Sequence, residues 1–209
     1  LLPDQEWKQA SRGESWRPGD TINLGIGQGD MLVTPLQMAQ AVATLANRGK
    51  FRPAVMVKDR VRDNGSLGQF DELNRIPDWA WETIIGGMKK VVHRGNQRFG
   101  ENGTAWAYIG RDIPYTMAGK SGTAQVVGIS QGEVYDEDLI DERLRKHAWF
   151  IAFAPVVDPL IAVAVLLENG GGGSENAAPV ARAIIDAYLM DIEPSLQAAD
   201  PSGLLQAAR

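Results

Sequence analysis

The chain of 209 residues contains no cysteine. Disulfides, thiol nucleophiles and cysteine-ligated zinc or iron–sulfur centres are thereby excluded from it. Histidine is scarce too: His93 and His147 are far apart and in no ligand spacing, so no metal site is expected from this chain. No excess of basic charge is present, since 21 Lys and Arg stand against 26 Asp and Glu for a net charge of −5, and nucleic acid is not an expected partner. No apolar run approaches the ~20 residues needed to cross a bilayer. The longest, PLIAVAVLL at 159–167, has the length of a strand. The opening LLPDQEWKQ has neither the charged nor the apolar segment of a leader. We therefore expect a piece of a longer protein.

What is present is the pattern of an ordinary core-forming chain. Residues 1–20 are polar and read as an irregular segment with Trp7, Trp16 and the turn RPGD. Thr34, Pro35 and Gln37 then form a helix start, a capping box with proline at the first helical position. Leu36, Ala39, Val42, Ala43 and Ala46 follow at helical spacing, and Gly49 stands where a left-handed stop belongs. FRPAVMVKD reads as an edge strand because of its proline, and Asn64-Gly65 as a tight hairpin. A second helix is expected over 78–93, with Trp81, Ile84, Ile85, Met88, Val91 and Val92 on one face and Gly95 beyond its end. Gly86-Gly87 within it suggests close packing against a neighbour.

The last third alternates strand-like runs. Residues 115–128 read as one strand, followed by a charged loop. HAWFIAFA and LIAVAVLLEN are two more, joined by PVVDP and short enough to be antiparallel neighbours. GGGGS at 170–174 reads as a tight backbone crossing. A last helix over 177–190 would place Val180, Ala183, Ile184, Ala187 and Tyr188 on one face, and the tail from 192 is expected to be disordered. The fold class is α+β, an antiparallel sheet covered by helices. Strands do not alternate with crossover helices, which disfavours a doubly wound sheet.

The stretch TMAGKSGTAQVVG, 116–128, carries the chemistry. A phosphate loop ending in Gly119-Lys120-Ser121 would need glycine at 114, where Pro114 stands, and a helix where GTAQVV follows. The nucleotide reading fails on both counts. GIGQG at 25–29 fails as a dinucleotide fingerprint, since Asp30 occupies the third glycine position; Gln28 and Asp30 read as shaping a turn. On a strand, Lys-Ser-Gly-Thr has a different use. Lys120 supplies a positive charge for a substrate carboxylate or a developing oxyanion. Ser121 and Thr123 share one face because strand side chains alternate. Gly122 clears room for substrate backbone, and the backbone N–H of Thr123 can serve an oxyanion. Tyr115, Gln125, Trp149, Phe150 and His147 are read as packing or structural residues.

The order GDTINLGIGQGDMLVTPLQMAQAVATLANRG, NGTA at 102–105, AGKSGTAQ, HAWFIAFAP and AVAVLLENGGGGS with AAPVARAIIDAYL resembles the C-terminal part of a class B penicillin-binding protein transpeptidase domain. EWK upstream and ERLRKH before HAWFIAFA favour its elongation-specific branch over the division-specific one. The resemblance spans nearly the whole chain except its tail, so residues 1–191 are expected to be a portion of that domain.

The resemblance implies a serine D,D-transpeptidase of the serine β-lactamase-like fold that crosslinks peptidoglycan stem peptides and is inhibited by β-lactams. It needs no cofactor. It implies the periplasmic face of the bacterial inner membrane and partners among elongation-complex membrane proteins, including a glycan polymerase. Carried over residue by residue, Lys120 is the electrostatic group; Ser121, Gly122 and Thr123 bind the substrate or drug, with the Thr123 N–H as oxyanion donor. The family's S-x-x-K nucleophile motif is not in this chain: none of its eight serines has lysine three positions on. Ser174-Glu175-Asn176 matches S-x-N but follows the Lys120 motif, whereas the family's precedes it. The nucleophile is thus expected upstream, and this chain alone is expected to be inactive. The competing expectation is a non-catalytic homologue or fragment acting as a binding or scaffolding module.

Overall fold

The structure is a computed structural model and describes residues 1–55, 73–126, 136 and 140–192. Its centre is an antiparallel sheet in the order β1 (Ala118–Ala124), β2 (His147–Ala154), β3 (Ile161–Leu167). In β1–β2 Lys120 faces Ile151, Ser121 faces Phe150, Gly122 faces Trp149 and Thr123 faces Ala148. In β2–β3 Phe150 faces Val165 and Ile151 faces Ala164. The middle strand is apolar on both faces because both are covered, one core lying on each side.

The first core joins Ala148, Phe150, Ala152 and Val165 to α5 (Ala178–Asp186) through Ala178, Ala181 and Ile185. The second joins Ala118, Phe153 and Ile151 to Val42 and Ala46 of α3 (Pro35–Ala46) and to Ile85 and Met88 of α4 (Asp78–His93). α3 begins as its sequence dictates. The Gln37 N–H donates to Thr34 Oγ1 at 3.2 Å, and the Thr34 N–H donates to Gln37 Oε1 at 2.9 Å. It ends at Ala46, and the turn beyond it closes at Gly49, whose φ is +86° and where a Cβ would come within 2.8 Å of the Trp81 ring.

Several expectations are corrected. Residues 1–20 are not irregular: α1 (Gln5–Arg12) and α2 (Pro18–Gly25) form there. They are short, and what ties them together is polar. Lys8 is buried, with Nζ donating to Asp20 Oδ2 at 2.7 Å and lying 3.6 Å from Glu14, so no apolar stripe announces the pair. The Lys8 hydrogen bond, then that from the Arg17 N–H, holds the Asp20 carboxyl below its ordinary range.

α5 buries the opposite face from the one expected. Val180 and Ile184 are exposed, because Ala178, Ala181 and Ile185 form a second apolar stripe with smaller side chains and the sheet takes that one. Leu36 and Ile84 are exposed rather than core. Gly86 and Gly87 have open space where a Cβ would be, so no close neighbour explains them. The strand expected at FRPAVMVKD does not form over residues 51–55, and its remainder, Asn64-Gly65 and the tail from 193 lie outside the described residues. The expected strand at 115–128 is β1, shorter at both ends. Of the charged loop, residues 142–144 form a single tight helical turn.

Candidate active site

β1 is an edge strand of the described sheet, and its exposed side meets the loop between α2 and α3 across a cavity of about 580 Å³. Lys120, Ser121, Gly122 and Thr123 all line it. Alternation alone separates Lys120 from Ser121, yet the Lys120 side chain folds over the strand edge: Nζ donates to the Ser121 carbonyl oxygen at 2.7 Å and lies 3.4 Å from Ser121 Oγ. Ammonium and hydroxyl therefore converge, which a ligand held by both requires. Among the described residues no carboxylate pairs with Lys120, so its charge is available to an anionic ligand.

In an antiparallel ladder, alternate residues turn both backbone groups toward the partner strand or both away from it. The carbonyls of Ser121 and Thr123, two apart, take side-chain donors: Lys120 Nζ on the first and Gln28 Nε2 on the second, at 2.9 Å. That edge is the one turned away from β2. By the same alternation the Thr123 N–H is turned to that edge, the side on which Lys120 Nζ meets the Ser121 carbonyl.

Gly122 is squeezed between two faces. A Cβ there would lie 3.2 Å from Trp149 Cβ on the cavity side. Behind it, Gly173 passes so close that its own Cβ would lie 2.5 Å from Gly122 O, 3.1 Å from Gly122 N and 2.3 Å from Trp149 O. The glycine run at 170–174 is therefore a tight crossing as expected; Gly170 likewise would bring a Cβ within 2.7 Å of Leu167 Cβ.

Of the remaining residues, Thr34 caps α3, and Phe150 is wholly buried. Trp149, expected in the core, is half-buried and lines the cavity with Ile151 and Gln125. His147 Nδ1 accepts the Asn169 N–H at 2.8 Å, a structural bond that joins the start of β2 to the end of β3. Tyr115 lies before β1 rather than on it, and its hydroxyl donates to Asp186. Burial first, then that carboxylate, pushes the phenol far above its ordinary value. Asn176 Nδ2 donates to Gly170 O at 2.7 Å and its N–H to Gly172 O at 2.9 Å, so the Ser174-Glu175-Asn176 match closes the glycine turn.

Comparisons with known proteins point to one family. The model of the penicillin binding protein transpeptidase domain matches residues 3–186. The chain belongs to that family. It is 40% identical over 202 residues to the peptidoglycan D,D-transpeptidase MrdA of Haemophilus influenzae, covering 94% of this chain and 30% of that protein. It is 37% identical over 206 residues to MrdA of Escherichia coli, covering 96% and 31%. Among solved structures, Pseudomonas aeruginosa PBP2 in complex with WCK 5153 aligns with a TM-score of 0.63 at 36% identity, over 91% of this chain and 38% of that one. PBP2 of Helicobacter pylori, solved in complex with MreC, aligns at 0.67 and 28%, over 92% and 31%. The MrdA and PBP2 proteins are thus the branch this penicillin-binding protein chain resembles, and its mixed helix and antiparallel sheet is the family's fold. The chain spans about a third of the length of these relatives.

Two residues of this candidate site escaped the sequence reading. Gln28 sits in a glycine turn that reads as connection, and only the fold brings it to a strand 95 positions away. Gly173 was legible as a crossing, but what it crosses was not. The flanking glycines were the available signal for Gln28: Gly27 and Gly29 both hold positive φ, at 73° and 78°, so the turn is built around the residue between them.

Proposed function

We propose that this chain is part of an elongation-type peptidoglycan D,D-transpeptidase and supplies one wall of its active site. The observation that carries the reading is the convergence of Lys120, Ser121, Gly122 and Thr123 on one cavity at the open edge of β1. In this reading a serine outside the 209 residues attacks the carbonyl of the penultimate D-alanine of a stem peptide. The resulting oxyanion is held by the Thr123 N–H, and Lys120 and Ser121 hold the terminal carboxylate. The C–N bond breaks, the terminal D-alanine leaves with a proton on its amine, and an ester remains. An amine of a second stem peptide attacks that ester, forming the crosslink amide and returning the serine hydroxyl. A β-lactam would enter the same route and stop at the ester.

The reading places the protein at the periplasmic face of the inner membrane, with elongation-complex membrane proteins and a glycan polymerase as partners. The Helicobacter pylori PBP2–MreC complex supports a partner of the MreC kind. The test is turnover by the complete protein carrying this chain. Stem pentapeptide donor and acceptor should give released D-alanine and crosslinked dimer in equal amounts. Release with no dimer would make it a carboxypeptidase, and neither product would favour a non-catalytic module.

A further inference from the structure

Gln28 is joined to the reactive edge of β1 by one hydrogen bond, and the loop around it is built to deliver that bond. Gly27 and Gly29 lie in the left-handed region that side chains disfavour, so the chain folds sharply on both sides of Gln28. The Gln28 N–H donates to Asn23 O at 2.9 Å and the Gly27 N–H to Leu24 O at 3.0 Å, tying the turn to the end of α2. Downstream, Asp30 pairs with Arg12 of α1, and the Leu32 N–H donates to Leu1 O at 3.1 Å. The backbone of the loop is therefore held from three sides. Its half-buried glutamine reaches across the cavity to Thr123 O at 2.9 Å.

Thr123 is the next-to-last residue of β1, where the ladder to β2 is about to end, so its outward peptide groups gain little rigidity from the strand itself. In an extended residue N–H and C=O point to the same edge. A bond that fixes the carbonyl therefore also fixes the direction of the N–H.

We infer that Gln28 is a positioning residue for the transpeptidase reaction: its carboxamide clamps the Thr123 carbonyl and so aims the Thr123 N–H at the oxyanion. The inference rests on the function proposed above. The clamp does not close the site, because a carbonyl oxygen has two lone pairs and one stays open to a ligand N–H. A glutamate at 28 could not replace it, since a carboxylate only accepts and would face the Thr123 carbonyl with like polarity.

The test uses the complete protein and a fluorescent penicillin, with acylation followed as a function of drug concentration so that the binding constant and the acylation rate constant separate. Gln28→Met keeps the length and bulk of the side chain and removes the donor. We expect its acylation rate constant to fall about tenfold, as for a slightly misaimed oxyanion donor, with the binding constant within about twofold and the melting temperature unchanged. Gln28→Glu, of the same size, should fall further than Gln28→Met. Equal acylation rate constants for wild type and Gln28→Met overturn the inference, as does a rate loss that only parallels a loss of melting temperature. A wild-type protein that takes no label overturns the proposed function itself, and the inference with it.

Discussion

Gly173 rests directly on the backbone of Gly122: a Cβ on the first would lie 2.5 Å from the carbonyl oxygen of the second. The turn after β3 thus supports the motif strand from behind while the cavity opens in front. Gly173→Ala should displace β1 or the 173–177 turn, with a stability loss of about 1–3 kcal/mol, the usual range for forcing volume into a packed site. Penicillin acylation should fall as well. Thermal melting and acylation rate on the same preparation check it; an unchanged pair of values would show that the crossing has slack.

Lys120 should behave in the opposite way. Its side chain is exposed, and its acceptors belong to the adjacent residue, so removing it takes little from the fold. Lys120→Ala is expected to lower acylation by about 10²–10³-fold with little change in melting temperature. Stopped labelling with a fluorescent penicillin and a melting curve separate the two effects.

His93 makes folding pH-dependent. Its Nε2 accepts the Met117 N–H at 2.9 Å immediately before β1, which requires the neutral ring. Burial, reinforced by the nearby Lys89 charge, lowers its pKa below the ordinary value of 6.5. A group depressed in this way binds its proton more readily when unfolded, so its contribution is complete above about pH 6.5 and is lost as pH falls through the folded pKa. Melting temperature should therefore decline from pH 7 toward pH 5. The decline should be shallower in His93→Gln, whose amide oxygen can accept the same N–H without titrating.

Arg182 fastens α5 to the segment that leads into β1. It bonds both oxygens of Asp186 at 2.9 and 2.8 Å, and its Nη1 donates to Ile109 O at 2.8 Å. Arg182→Met would leave Asp186 with the Tyr115 hydroxyl and without its cation, and should destabilise by about 2–4 kcal/mol. Tyr115→Phe removes one bond to a carboxylate and should cost about 1.5–2 kcal/mol. Denaturant titration of both variants checks the ranking.

The strands, α3 and α4 were legible from local signals: β2 and β3 are strand-length apolar runs, α4 carries apolar residues at helical spacing, and Thr34-Pro35 with Gln37 marks a helix start in side-chain chemistry. α1 and α2 were not, because their association runs through buried Lys8 and Asp20 rather than an apolar stripe. The face of α5 was ambiguous for the opposite reason, since Val180 with Ile184 and Ala181 with Ile185 are both apolar stripes, and only the sheet decides between them. At the site, the Lys120 motif could be read from four letters and its setting. The contacts of Gln28 and Gly173 with that motif join residues far apart in sequence, and no local pattern encodes such a meeting.

The central claim is that β1 forms a wall of a penicillin-reactive transpeptidase site whose nucleophile lies outside these 209 residues. Its most direct test is peptide mass mapping of the penicillin adduct on the complete protein, with and without Lys120→Ala. The account predicts one adduct, on a serine outside residues 1–209, formed far more slowly in the variant. An adduct on any of the eight serines within the chain, or labelling indifferent to Lys120, would contradict it.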